Sequence, residues 1–186
     1  HDDGQLGGSL DVDEGAGEPV LLIHGFASSH SINWVRPGWV KTLTEAGYRA
    51  IALDNRGHGE SSKSYDTADY PPAKMASDAA ALLDHLGIAR AHVVGYSMGA
   101  RISAFLALRH PGRVRSAIFG GLGINMVKGL GGTQEIAAGL EARAASEIAD
   151  PVARTFRAFA EQTGGDLLAL AACMRSARAA LTAEMV

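Results

Sequence analysis

An α/β fold built on a mostly parallel sheet with flanking helices follows from three observations. Short apolar runs recur at Val20 to Ile23, Tyr48 to Leu53, Ala91 to Val94 and Val114 to Phe119, each too brief for a helix and rich in aliphatic or β-branched residues. Stretches with helical periodicity separate them, which implies parallel strands joined by helical crossovers. The run Val20-Leu21-Leu22-Ile23 is continuously apolar rather than alternating, as a central parallel strand buried on both faces requires.

In chain order, Leu10-Asp11-Val12-Asp13 alternates weakly and suits an edge strand, and Glu14-Gly15-Ala16-Gly17-Glu18-Pro19 is a turn-rich loop. The strand Val20 to Ile23 ends at His24-Gly25-Phe26. After the loop Ala27-Ser28-Ser29-His30-Ser31, the residues Trp34, Trp39, Val40 and Leu43 before Gly47 predict a helix with an irregular, proline-containing start. The strand Tyr48 to Leu53 runs into Asp54-Asn55-Arg56-Gly57-His58-Gly59-Glu60-Ser61, whose alternating glycines permit a tight path. Pro71-Pro72 precede a helix over about Ala73 to Leu86, with Met75, Ala79, Leu82, Leu83 and Leu86 on one side and Gly87 closing it. The strand at Ala91 is followed by a helix marked by Ile102, Phe105 and Leu106, ending near His110-Pro111.

After Val114 to Phe119 the character changes. Gly120-Gly121-Leu122-Gly123 and Gly129-Leu130-Gly131-Gly132 form loops, followed by alanine-rich helices over about Glu135 to Ala149, Pro151 to Glu161 with Asp150 as cap, and Asp166 to Arg178. No strand returns, so residues 1–119 read as the N-terminal part of a sheet core and 120–186 as a helical cap over the strand ends. In open α/β sheets ligands gather at the carboxyl ends of the strands. Gly25-Phe26, Asp54 and Ser97 all fall at such ends.

The stretch Gly95-Tyr96-Ser97-Met98-Gly99 joins a strand to a helix. A G-x-S-x-G turn there is so tight that the central residue is strained and its neighbours two positions away have no room for side chains. The serine hydroxyl is thereby lifted into the open. It also sits at the start of a helix, where the partial positive charge of unpaired N–H groups favours an alkoxide or oxyanion. Ser97 is therefore the candidate nucleophile.

Composition narrows the alternatives. In 186 residues the hydrophobic fraction of 47% and charged fraction of 20% are globular values, with enough chain for a sizeable core. No apolar run approaches the roughly 18 residues that cross a bilayer, and a net charge of −3 gives no footprint for nucleic acid or an anionic membrane. Neither is an expected partner. The single cysteine, Cys173, cannot form an internal disulfide and reads as a buried or idle thiol. The glycines from Gly121 could suggest a dinucleotide loop, but Met126 stands where the third glycine of G-x-G-x-x-G belongs. With no H-E-x-x-H and no paired cysteine and histidine spacing, no metal and no cofactor is expected. The chain opens at His1-Asp2-Asp3 with neither an initiating methionine nor a signal peptide, which predicts that the natural start is absent and that the protein is cytoplasmic.

Four features coincide in one order: His24-Gly25-Phe26 after a strand, Asp54-x-Arg56-Gly57-x-Gly59-x-Ser61 after the next, Gly95-x-Ser97-x-Gly99 after a third, and helices after a fourth. Together they resemble the α/β-hydrolase fold, and specifically its serine esterase and lactonase-like members with a helical cap. The resemblance implies that Ser97 is the nucleophile, and that the backbone N–H groups of Met98 and Phe26 form the oxyanion hole. Their side chains are then free to line the acyl pocket. It also implies that His24 is a structural residue holding its loop, and that Asp54 to Ser61 is scaffold. Dehalogenase- and epoxide-hydrolase-like relatives share that loop but carry aspartate at the nucleophile position, so serine at 97 argues against both chemistries.

One part of the pattern is missing. A serine nucleophile needs a histidine base, and that base needs a carboxylate to hold its tautomer. In the family both follow the serine, on loops after later strands. His110 comes at the end of the nucleophile's own helix, roughly 15 Å or more away at 1.5 Å per residue. His85 and His92 lie at the wrong ends of their elements, while His30 and His58 are near the right face but precede Ser97. The sequence therefore predicts a fold incomplete at its C-terminal side, lacking about 60 residues if each further strand and helix unit takes roughly 30.

The expected function is hydrolysis of an ester, thioester or lactone, a small-molecule acyl substrate, through an acyl-enzyme on Ser97. A carbon–carbon bond hydrolase or a perhydrolase would use the same framework. From a different class, the rival is a protein of this fold that binds a small ligand without turnover. Substrate identity and oligomeric state are left open at this level.

Overall fold

A computed structural model of the protein describes residues 8–176 and 180–185. Five strands form one sheet: β1 (Ser9–Glu14), β2 (Pro19–Ile23), β3 (Arg49–Asp54), β4 (Ala91–Tyr96) and β5 (Val114–Gly120). Their order across the sheet is β1-β3-β2-β4-β5. Only β1 runs antiparallel, against β3; the pairs β2 with β3, β2 with β4 and β4 with β5 are parallel. The predicted α/β class and the edge position of the first strand are both found.

The period-two geometry of β2 explains why its run is apolar throughout. Leu21 and Ile23 enter one buried cluster and Val20 and Leu22 another, on opposite faces of the sheet. On one face lie α2 (Pro72–His85) and α3 (Met98–Arg109), which contribute Met75, Ala79, Leu83, Ile102 and Leu106. On the other, α1 (Trp39–Glu45) and the π-helical segment Ser31–Val35 bring Val40 and Trp34 onto Val20, Leu22, Ala50 and Ala52. This pair of segments, broken at Pro37-Gly38, is the irregular helix expected there.

Beyond β5 come four helices: α4 (Asn125–Lys128), α5 (Thr133–Glu141), α6 (Pro151–Gln162) and α7 (Leu167–Arg175). The short α4 falls between the two glycine-rich stretches read from sequence as loops, in residues that carry no sequence signal of their own. The helix expected over Glu135 to Ala149 stops at Glu141, because Ala142 is extended with ψ 144°. The cause is Arg157, 6% exposed, whose guanidinium donates to the carbonyls of Gly139, Leu140 and Ala142 at 3.0, 3.3 and 2.8 Å. It thus captures the carbonyls that a continuing α5 would have bonded internally. Asp150 caps α6 as expected, accepting from the Ala153 N–H at 2.7 Å. Asp166 caps α7, which ends at Arg175, since Ser176 is extended; Arg178, where that helix was expected to end, lies outside the described residues, as do His1-Asp2-Asp3.

Helices α5, α6 and α7 pack into the same cluster as Phe26, Ala27 and Met98, through Ile136, Leu140, Ala160, Leu170 and Met174. They therefore cover the loop after β2 and the start of α3. At the opposite border β5 pairs, among the described residues, on one side only, and its Ile118 and Phe119 are 62% and 49% exposed. An apolar groove lined by Trp34, Trp39, Tyr96 and Ile118 opens beside it. No helix among the described residues is long and apolar enough to cross a membrane.

Candidate active site

Ser97 stands between the end of β4 and the first residue of α3, with φ 54° and ψ −115°. An L-residue in that region is strained by about 1–3 kcal/mol and persists only where its surroundings hold it. Three contacts do so. The Ser97 N–H donates to the Gly120 carbonyl of β5 at 2.8 Å. A Cβ on Gly95 would come within 2.2 Å of the Gly99 carbonyl oxygen, and one on Gly99 within 1.9 Å of that of Ile23. Side chains at either position would force β4 and α3 apart, so the turn closes only with glycine on both sides.

The Gly25-Phe26 loop lies against this turn. A Cβ built on Gly25 would sit 3.4 Å from that of Ser97, and the Gly25 N–H is held by Asn33 Oδ1 at 2.8 Å. Ala27, next in the chain, is the other non-glycine residue with positive φ among the described residues, at 57°. Its carbonyl accepts from Thr163 Oγ1 at 2.7 Å, which ties the loop to the α6–α7 turn. Strained backbone thus flanks a cavity of about 110 Å3, lined by Ser97, Phe26, Met98, Arg101, Leu122 and Phe156 among others. Ser97, Phe26 and Met98 are brought together there. The Met98 N–H, at the first position of α3, belongs to the turn whose N–H groups have no acceptor within the helix.

The histidines are placed elsewhere. His24, fully buried, bonds through Nδ1 to the Gly25 carbonyl at 2.8 Å, and its Nε2 accepts from the Asn55 N–H at 3.0 Å. Both bonds are satisfied by the neutral ring protonated on Nδ1. Burial, opposed by the Gly25 bond and the nearby Asp54 carboxylate, lowers its pKa to about 4. His24 therefore pins β2's loop to β3's, as a structural residue would. His30 contacts Asp54 Oδ1 through its N–H at 2.7 Å and its Nδ1 at 3.0 Å. His58 Nδ1 lies 3.0 Å from the Arg56 carbonyl, with its ring against His24 and Phe26. His110 follows the last residue of α3. Among the described residues no side chain hydrogen-bonds Ser97 Oγ.

The Asp54 to Ser61 loop is braced from within. Burial pushes the Asp54 carboxyl up, but the N–H groups of His30 and Glu60, with the neighbouring histidines, hold its pKa below the usual value. Arg56 forks onto Asp78 of α2 with two bonds of 2.6 Å. Asp11, His30 and Asp54 lie close enough together to contact one ion. Their ligating atoms are already engaged: Asp11 Oδ2 accepts from the Asp54 N–H, and Asp54 Oδ1 from His30. The cluster is accounted for as a hydrogen-bonded junction of β1, β3 and the loop after β2.

Arg101 was not singled out from sequence. It is 2% exposed, inside the apolar face of α3, and donates to the carbonyls of Asn125 and Met126 at 2.7 and 3.2 Å. The available signal was a charge four residues after Ser97, on the same side of the helix.

A strand, a strained serine and a helix in this arrangement, under a loop carrying His24-Gly25-Phe26, define an α/β-hydrolase site. The family model described as alpha/beta hydrolase fold matches residues 18–161. The chain belongs to that family. It is 42% identical over 109 residues to an epoxide hydrolase of Caballeronia sordidicola, covering 59% of this chain and 32% of that protein. It is 41% identical over 100 residues to the dihydrolipoyllysine-residue acetyltransferase component of the acetoin cleaving system of Pseudomonas putida, covering 54% and 25%. Among solved structures, the bottromycin epimerase BotH in complex with bottromycin A2 superposes with a TM-score of 0.69 at 26% identity, over 90% of this chain and 66% of that one. The chain thus matches about a third or less of the length of these two curated relatives. Their names span different reactions, so they speak for the framework and not for one chemistry.

Proposed function

We propose that this chain carries the nucleophile half of a serine hydrolase that cleaves an ester, thioester or lactone of a small acyl substrate. The observation that carries the reading is the strained backbone of Ser97 at the head of α3, facing a cavity shared with Phe26 and Met98. Ser97 Oγ attacks the substrate carbonyl, and the Phe26 and Met98 N–H groups hold the resulting oxyanion. Collapse expels the alcohol, thiol or ring oxygen and leaves an acyl-enzyme, which water then hydrolyses. The helices of residues 120–186 act as the lid of this site, over the sheet part formed by 1–119.

The proton acceptor and its orienting carboxylate belong, in this reading, to sequence beyond the 186 residues. Two facts favour this: His24, His30 and His58 bond other partners, and the matched relatives are longer. Serine at the elbow favours acyl chemistry over the epoxide opening for which the first relative is named.

A second reading is a protein of this fold that binds a small ligand without turnover. It is favoured by the absence of any side chain bonded to Ser97 Oγ among the described residues. One experiment separates the two: exposure of the natural full-length protein to a fluorophosphonate probe, followed by intact mass and peptide mapping. A single adduct on Ser97, lost in Ser97→Ala, is the expected result. An unlabelled full-length protein sinks the hydrolase reading and leaves the binding one.

A further inference from the structure

The loop that faces Ser97 is held by residues far away in the chain. Phe26 and Ala27 are consecutive and buried, and each touches α6 or the turn after it. The Phe26 ring meets that of Phe156 edge-on, with centroids 5.8 Å apart. The Ala27 carbonyl accepts from Thr163 Oγ1 at 2.7 Å. Phe156 and Thr163 stand about two helical turns apart, so one side of one helix reaches both loop residues.

A loop that needed only covering would not require these contacts. Ala27 has φ 57°, a conformation that an alanine keeps only where its surroundings impose it, and its methyl group has no means of bonding its own backbone. The hydroxyl of Thr163 has one proton to give. The Ala160 carbonyl, 3.1 Å from Thr163 Oγ1, already accepts from the Gly165 N–H at 2.9 Å, so the shorter bond to Ala27 is the one that needs the hydroxyl. Upstream, Asn33 Oδ1 holds the Gly25 N–H at 2.8 Å. The loop is thus gripped at both ends, from the sheet side by Asn33 and from the cap side by Thr163. Between the grips lies Phe26, which lines the same cavity as Ser97. A Cβ built on Gly25 would sit 3.4 Å from that of Ser97, so movement of this loop moves atoms that face the serine.

We propose that Thr163 is a positioning residue for the reaction at Ser97: from the cap, its hydroxyl holds the strained loop 25–27 in the geometry that places Phe26 beside the serine. This inference rests on the hydrolase reading of Ser97 and deepens it, because it makes the rate at the serine depend on how the turn between α6 and α7 is seated. A displacement of about 1 Å at a reacting centre can cost on the order of a hundredfold in rate, so one hydrogen bond that fixes the loop is enough to matter. The competing role for Thr163 is a brace that keeps the cap docked. A brace acts through stability, whereas a positioning residue acts on the rate of the bound state.

The test uses the natural full-length protein and a fluorophosphonate probe, with the maximal labelling rate of Ser97 and the half-saturating probe concentration measured separately. Thr163→Ser keeps the hydroxyl and Thr163→Ala removes it, so the two differ by the bond to Ala27 alone. The expected result is a maximal rate about tenfold lower in Thr163→Ala at an unchanged half-saturating concentration, with Thr163→Ser within about twofold of the wild type. Thr163→Val, which keeps the branched shape, gives the same comparison if Thr163→Ala does not fold. Two controls loosen the cap without touching the loop. Tyr65→Phe removes the bond from Tyr65 to Asp166 Oδ2, 2.9 Å long and made to the same turn, and Asp150→Ala removes the cap of α6. Both are expected to label at the wild-type rate. An unchanged maximal rate in Thr163→Ala, an equal loss in Thr163→Ser, or an equal loss in the two controls overturns the positioning role in favour of the brace. Each of these leaves the hydrolase reading standing, because the wild type is labelled. A wild type that is not labelled at all overturns that reading and the positioning role with it.

Discussion

At Ser97 the backbone carries strain that the side chain alone would not reveal. Glycine tolerates φ 54° without penalty, so Ser97→Gly is expected to raise stability by about 1 kcal/mol, read as a higher urea midpoint, while abolishing any probe adduct. A lower midpoint would show that the elbow is relaxed. Gly99→Ala is the opposite case: its methyl would lie 1.9 Å from the Ile23 oxygen, and soluble folded protein is not expected from it. His24 yields a pH prediction. Its folded pKa of about 4 lies below the ordinary 6.5, so between these values the unfolded chain binds a proton that the folded one does not. Its contribution is complete above pH 6.5 and declines by about 3 kcal/mol as pH falls to 4. Urea midpoints across that window should drop more steeply in the wild type than in His24→Asn; parallel slopes would remove His24 as the cause. Ser97 was legible because the glycine spacing of its turn is local, whereas Phe26 and Met98 came in through the resemblance to the family. Arg101 and Ala27 were not legible, because their burial and strain arise from α4 and from Thr163, which are far away in the chain.

The same distinction holds for whole elements. Helices whose start signals lie in their own sequence were readable: Asp150 before Pro151 caps as expected, and the helix expected from Asp166 begins there, with Asp166 as its cap. Asp150→Ala should cost about 1 kcal/mol in thermal or urea unfolding. The stop of α5 was not readable, because its signal is Arg157 on another helix. Arg157→Met should cost about 2–3 kcal/mol by leaving two buried carbonyls and a partly buried one short of a donor, more than the loss of the Asp150 cap. Equal losses would mean that Arg157 only fills space. The helix at Asn125–Lys128 was not legible for the same kind of reason: a four-residue helix has no periodicity to detect, and two of its carbonyls are gathered by Arg101.

Over the whole molecule, sheet class and crossover pattern were legible from short apolar runs, but strand order was not, since no local signal says that β1 returns beside β3. The open border at β5 has a solution consequence. A paired-on-one-side strand with exposed Ile118 and Phe119 invites association. Ile118→Lys should lower the scattering mass of the 186-residue chain at high concentration, and an unchanged mass would mean that this border is inert. That border strand also holds the serine, because Gly120 of β5 accepts the Ser97 amide proton. Fraying of the sheet's margin is therefore not remote from the chemistry. Each time β5 peels from β4, the elbow loses its tether and the Ser97 amide opens to solvent deuterium. The exchange rate of that single proton becomes a clock for how often the outermost strand lets go.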